Sequence, residues 1–123
     1  MVSRKPTNDF SGIDLTISDV QYQVTQEGHV DYIFQVNGPR SISFQIKDRY
    51  SSILDFKDAV KKQIGNSQQL PSFPKKKLIG NMSRKFLQSR AQKLGAYLQA
   101  FLAHPRVKPC KLVPIYLREK AYG

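Results

Sequence analysis

The sequence predicts an α+β domain, a three-stranded antiparallel β-meander packed against a helical subdomain, with a proline-rich loop between the two main helices. Three observations predict it. The N-terminal half carries three runs of alternating apolar side chains separated by turn residues. The second half carries apolar residues at helical spacing in two places. Between those two helical patterns stand Pro71, Pro74 and three consecutive lysines, a composition that suits extended backbone rather than a regular element.

The elements follow in order. Ile13, Leu15 and Ile17 alternate, the phase changes, and Val20, Tyr22 and Val24 resume it, which predicts one strand with a bulge near Ser18-Asp19. Val30, Tyr32, Phe34 and Val36 form the second run after Glu27-Gly28. Asn37-Gly38-Pro39-Arg40 reads as a turn, and Ile42, Phe44 and Ile46 as the third strand. Ser52-x-x-Asp55 resembles a capping box, so the first helix is expected to start there. Its apolar face would be Ile53, Phe56, Val60 and Ile64, with Lys61 and Lys62 near the negative end of the helix dipole and Gly65 as the stop. A long helix is expected from Ser83 to Ala103, with Leu87, Ala91, Leu94, Leu98, Phe101 and Leu102 on one face and Pro105 ending it. Residues 1–11 read as a flexible N-terminal segment and 108–123 as a basic C-terminal tail. The apolar run Leu112 to Leu117 in that tail has no placement from pattern alone.

Charge narrows the function. The 123 residues carry a net charge of +11. Up to Val60 there are six basic and eight acidic residues, a net of −2; beyond it there are fourteen basic residues and only Glu119 as an acid, a net of +13. A solubilising surface mixes both signs, so this asymmetry points to an anionic partner, nucleic acid or a membrane surface. The single cysteine, Cys110, cannot form an internal disulfide, which suits a reducing compartment. The chain has no apolar run near the ~20 residues of a membrane span, and MVSRKPTNDF lacks the apolar core of a signal peptide, so a cytoplasmic protein is expected.

One residue breaks the helical pattern. At 100° per residue Arg90 falls between Tyr97 and Phe101, inside the apolar arc of the long helix. A buried guanidinium needs compensation. Either it pairs with a sheet acid such as Asp14, Asp19 or Asp31, or reaches out past the aromatics, or it lines an anion pocket where its fork of donors binds paired oxygens. Arg49-Tyr50, where the third strand meets the first helix, offers a cation, helix N-terminal amides and a flat ring. Lys75-Lys76-Lys77 followed by Leu78-Ile79 suits a membrane interface, cations at the headgroups and apolar tips below them.

At these residues the chain resembles the Phox-homology (PX) domains, phosphoinositide readers found in sorting nexins. The matching pieces are Arg49-Tyr50-Ser51 before an amphipathic helix, the loop Leu70-Pro71-Ser72-Phe73-Pro74-Lys75-Lys76, and Phe86-Leu87-Gln88-Ser89-Arg90 leading to Leu94, Tyr97-Leu98 and His104-Pro105, over Gly12 to Val107. The resemblance implies Arg49 on a 3-phosphate, Tyr50 against the inositol ring, Lys76 on the 1-phosphate and Arg90 on the 4- and 5-hydroxyls. It implies Leu78 and Ile79 as membrane-inserting residues, with Lys75 and Lys77 in support. The implied partners are phosphatidylinositol 3-phosphate and an anionic membrane surface, at endosomal, vacuolar or lysosomal membranes, with protein partners arising through the rest of a longer parent chain. No cofactor or metal is implied. The chain departs from the family pattern at Asp48, where a second arginine usually precedes Arg49, at Ile53 in place of an aromatic, and at Phe73. Asp48 is expected to weaken the phosphate site or to pair with Arg49.

That departure makes a PX-type protein-interaction module with weak or no lipid binding the rival reading. Nucleic-acid binding is not expected, because Tyr32, Phe34 and Phe44 sit in core phase rather than on an outer face among cations. Nor is an enzyme, since His29, His104 and Cys110 have no metal-ligand or nucleophile–base spacing and read as surface or loop residues. Asn81-Met82-Ser83 fits a glycosylation sequon but reads better as the helix cap.

Overall fold

The computed structural model describes residues 12–65, 69–76 and 83–122. Strands β1 (Thr16–Val24), β2 (Val30–Asn37) and β3 (Ser43–Arg49) form the expected meander. Helices α1 (Tyr50–Ile64), α2 (Arg84–Ala103) and α3 (Leu112–Lys120) follow, and a two-residue strand β4 (Ala121–Tyr122) closes the order. The sheet is antiparallel in the order β1-β2-β3-β4. Its inward face carries Tyr32, Phe34 and Val36 from β2 and Phe44 and Ile46 from β3. Against these pack Ile53, Phe56 and Val60 of α1 and Leu94, Leu98 and Phe101 of α2.

The bulge lies where the phase change put it: the β1–β2 register shifts between Ser18 and Gln21, and Asp19 has φ of 48°. The β2–β3 turn is later than expected. Its tight bend is Pro39 to Ile42, with Arg40 and Ser41 at φ of 59° and 64°. Such a turn matches strand twist but suits Asn-Gly, so these two side chains make it strained. The sequon reading as a cap holds at Ser83, whose Oγ accepts the Phe86 amide at 3.2 Å. Residues 1–11 lie outside the described residues.

Helix α1 begins earlier than the Ser52-x-x-Asp55 pattern indicated. Tyr50 is its first residue and Arg49 its N-cap, with no side-chain capping bond, so β3 runs straight into the helix. The segment read as a tail is also folded. Val113, Tyr116 and Leu117 of α3 are buried, and the Phe56 and Tyr116 rings stack at 3.8 Å. Pro114 is tolerated because it lies in the first turn, where amides lack intrahelical partners anyway. Cys110, just before α3, is buried rather than on the surface.

Asp48 is the other correction. It shares phase with Phe44 and Ile46, so its side chain faces inward, and it is buried at 6% exposure. Tyr116 donates its hydroxyl to Oδ2 at 2.8 Å, the Arg49 amide donates to Oδ1 at 2.9 Å, and Lys120 Nζ is 3.6 Å from Oδ1. The carboxylate therefore fastens α3 to the end of β3 and forms no ion pair with Arg49. Burial first, then the Asp48 charge and hydrogen bond, holds the Tyr116 phenol well above its ordinary range.

Gly95 shows why α2 carries a glycine in mid-helix. A Cβ there would lie 2.5 Å from Cγ2 of Val20 on β1, so only glycine lets helix and strand approach this closely. Beside it Gln99 accepts the Ile17 amide at 2.7 Å and donates to the Leu15 carbonyl at 3.1 Å, stapling the strand to the helix.

Two stability measurements test this packing. Gly95→Ala, which improves intrinsic helix propensity, should nonetheless lower urea-unfolding stability by about 1–3 kcal/mol through overpacking; a gain would show that β1 can move away. Tyr116→Phe should cost about 1.5–3 kcal/mol for a lost hydrogen bond to a buried carboxylate. Because the folded phenol holds its proton above the usual value of 10.0, unfolding stability should be full below pH 10 and fall as pH rises beyond it. The Phe variant should show a shallower alkaline fall, and an unchanged one would deny Tyr116 this role.

Candidate functional site

The site forms where β3 becomes α1, because four segments converge there. Arg49 ends the strand exposed to solvent, opposite Asp31 in the ladder. Tyr50 is half-buried beside it, and its hydroxyl donates to the Pro74 carbonyl at 2.6 Å. The Tyr50 ring packs on Phe73 at 5.2 Å, and Phe73 packs edge-on against Tyr97 at 4.9 Å. Phe73, a departure from the family pattern, is thus the side chain that seats the proline loop on the helices.

Arg90 takes none of the sheet acids as a partner. Its guanidinium carbon lies 4.2 Å from the Tyr50 ring centre and 4.8 Å from that of Phe86, and Nη2 donates to the Lys75 carbonyl at 3.0 Å. Two aromatic faces and one carbonyl compensate a charge that sits on the apolar arc of α2. The arginine also touches Tyr32 below it. Burial raises the Tyr32 phenol, and the charge and hydrogen bond of Arg90 partly offset that rise.

Arg49, Tyr50, Lys75 and Arg90 therefore meet at one junction, with Lys76 exposed beside Lys75 on the same loop. Among the described residues the ion pairs are Lys57–Asp58, Lys108–Asp14 and Lys120–Asp48, and none reaches these cations. Arg49, Lys75 and Lys76 are exposed and outside these ion pairs, while Arg90 is half-buried and compensated by its two rings and the Lys75 carbonyl. Lys77, Leu78 and Ile79 lie outside the described residues. The Asp48–Tyr116–Lys120 cluster behind Arg49 escaped the sequence reading. The inward phase of Phe44, Ile46 and Asp48 was the signal for half of it; nothing local pointed to Tyr116.

A family model described as "PX domain" matches residues 36–120. This chain belongs to the PX domain family. Its sequence is 33% identical over 110 residues to the PX domain-containing protein kinase-like proteins of Rattus norvegicus and Mus musculus, covering 85% of this chain and 18% of theirs. It is 38% identical over 81 residues to sorting nexin-13 of Mus musculus, covering 61% of this chain and 8% of that protein. The chain thus spans less than a fifth of these curated relatives. A designed CISK-PX domain superposes with a TM-score of 0.68 at 24% identity, covering 84% of this chain and 96% of that one. The mouse SNX19 PX domain, crystallised with a bound sulphate ion, superposes at 0.53 and 14% identity, covering 84% and 92%. These two establish the likeness of fold.

The PX match extends through α3, whose Val113, Tyr116 and Leu117 belong to the core. Membership supports a phosphoinositide-binding, membrane-targeting module that is itself not catalytic, and the sorting-nexin relatives support peripheral membrane association. Among the described residues no helix is long and apolar enough to cross a membrane, and no group of three His, Cys, Asp or Glu side chains could hold a metal ion.

Tyr50 is the pin of this PX site, and its removal has a local readout. Tyr50→Ala deletes a hydrogen bond and a cation–π contact worth roughly 1 kcal/mol each. Protection of the loop from tryptic cleavage at Lys75 and Lys76 should fall by about 30-fold, with the sheet unchanged. Unaltered loop protection would mean that Phe73 alone holds the loop.

Proposed function

We propose that this PX domain reads phosphatidylinositol 3-phosphate on endosomal membranes. Support comes from the Tyr50–Pro74 and Arg90–Lys75 bonds and the Arg90–Tyr50 contact, which hold ring and guanidinium next to the exposed Arg49 and Lys76, with the Asp48 carboxylate turned into the core. Arg49, exposed and without an ion-pair partner, takes the 3-phosphate, aided by the amides of the α1 N-terminus that it caps. The inositol ring settles on Tyr50. Arg90, which covers that ring in the free protein, moves to the 4- and 5-hydroxyls. Lys76 meets the 1-phosphate that leads to the lipid.

Two weaker terms hold the domain at the bilayer. Lysines near an anionic leaflet contribute about 1 kcal/mol each, screened by salt. Burial of Leu78 and Ile79 would add roughly 1.5–3 kcal/mol per side chain. Neither distinguishes one phosphoinositide from another, so selectivity falls to Arg49 and Arg90. The protein-interaction alternative rested on Asp48, whose carboxylate is engaged by Tyr116 and the Arg49 amide instead.

Liposome sedimentation across the phosphoinositides tests this reading. Wild type should prefer phosphatidylinositol 3-phosphate vesicles, and added salt should weaken all anionic binding while keeping the preference. Arg49→Ala should lose the preference with its unfolding midpoint unchanged, an effect of about 10- to 100-fold for a charge-assisted contact worth 1.5–3 kcal/mol. Retention of the preference at wild-type affinity would sink the assignment.

A further inference from the structure

A groove of about 800 Å³ runs between the proline loop and α2, beside the junction but without Arg49 or Tyr50 in its lining. Its volume falls in the range of sites that enclose small ligands, roughly 300–1,000 Å³. The helix side extends from Phe86 to Ala100, about 21 Å at 1.5 Å per residue. The two walls run antiparallel, because Lys75 meets Arg90 while Phe73 meets Tyr97.

That pairing separates the groove by chemistry. At one end Lys75, Lys76 and Arg90 stand with Phe86 and Ser89, Lys93 lies midway along the helix wall, and beyond it come Pro71, Ser72, Phe73, Ala96, Tyr97 and Ala100. The groove is cationic at one end and apolar at the other.

The walls also restrict what can lie there. A peptide that adds as a β-strand needs backbone partners. Here α2 uses its own amides internally, Pro71 and Pro74 have no N–H, and the Pro74 and Lys75 carbonyls are already taken by Tyr50 and Arg90. An alkyl chain needs none of these groups. We infer that the groove binds a single-chain phosphate lipid, its phosphate among Lys75, Lys76, Arg90 and Lys93 and its chain along Phe73, Ala96, Tyr97 and Ala100. The site shares Lys76 and Arg90 with the proposed headgroup site but does not rest on that reading.

The probe is dodecyl phosphate, titrated calorimetrically below its micelle concentration, with octyl phosphate, inorganic phosphate and an acidic peptide containing phenylalanine as comparisons. Binding should be one-to-one and strengthen about fourfold per added methylene, with inorganic phosphate too weak to measure. Ala96→Trp, at an exposed helix position, should weaken dodecyl phosphate at least tenfold, and Ala100→Glu, which sets a charge against the chain, should do the same. Soluble inositol 1,3-bisphosphate separates the two sites: Arg49→Ala should lose it and keep dodecyl phosphate, whereas Ala96→Trp should do the reverse. If both groove variants bind dodecyl phosphate as wild type does, if chain length has no effect, or if the peptide binds more tightly than dodecyl phosphate, the inference is overturned.

Discussion

A continuous line of aromatic contacts holds this PX domain together. Tyr116 stacks on Phe56, Phe56 meets Phe101, Phe101 stacks on Tyr97, Tyr97 takes the edge of Phe73, and Phe73 packs on Tyr50. Each contact adds about 0.5–1.5 kcal/mol beyond the area it buries. Position matters more than this sum, because the rings come from α3, α1, α2 and the proline loop in turn. No single helix has to bury its apolar face alone. The line ends under the guanidinium of Arg90, so a half-buried cation of the site is tied through partly buried rings to the fully buried core.

Charge is arranged around that line by exclusion. The strands carry three of the nine acids, Asp19, Asp31 and Asp48, and the two buried or half-buried charges next to the site are both compensated, Asp48 by Tyr116 and the Arg49 amide, Arg90 by two rings and a carbonyl. Neither compensation uses the other charge. Arg49, Lys75 and Lys76 therefore keep their full charge for whatever approaches from outside, and the field of the basic second half is not cancelled where it matters.

Much of this was legible in the sequence, for physical reasons that also mark where legibility stopped. Alternation exposed the strands and the bulge, because one face of the sheet is solvated. Helical spacing exposed α1 and α2, and Arg90 stood out because it broke that spacing. The family pattern pointed to Arg49, Tyr50, Lys76 and Arg90; in the structure Arg90 lies on the Tyr50 ring, with Arg49 next to Tyr50 in the chain and Lys76 next to the Lys75 that Arg90 holds. The start of α1 was misplaced because an N-cap without a side-chain bond leaves no sequence signature. Strand β4 is two residues long, too short to alternate, and adds the Lys47–Tyr122 contact to its backbone pairing. Helix α3 hid behind Pro114 and a basic composition; only its packing on Phe56 reveals it as core. Asp48 was misread because its type was compared with the family while its phase was not.

The bond between Asp48 and Tyr116 also sets an order of events. It spans 68 residues, from the last turn of the sheet to the penultimate element, so loop closure must precede it. Until α3 docks, the carboxylate one residue before Arg49 lacks its phenol partner, and the strand end that carries Arg49 has no reason to close over a charge. During synthesis the C-terminal residues emerge last. The Tyr50–Pro74 and Arg90–Lys75 bonds that gather the site use no atom of α3, so the docking of α3 bears on the site only through the strand end that carries Arg49.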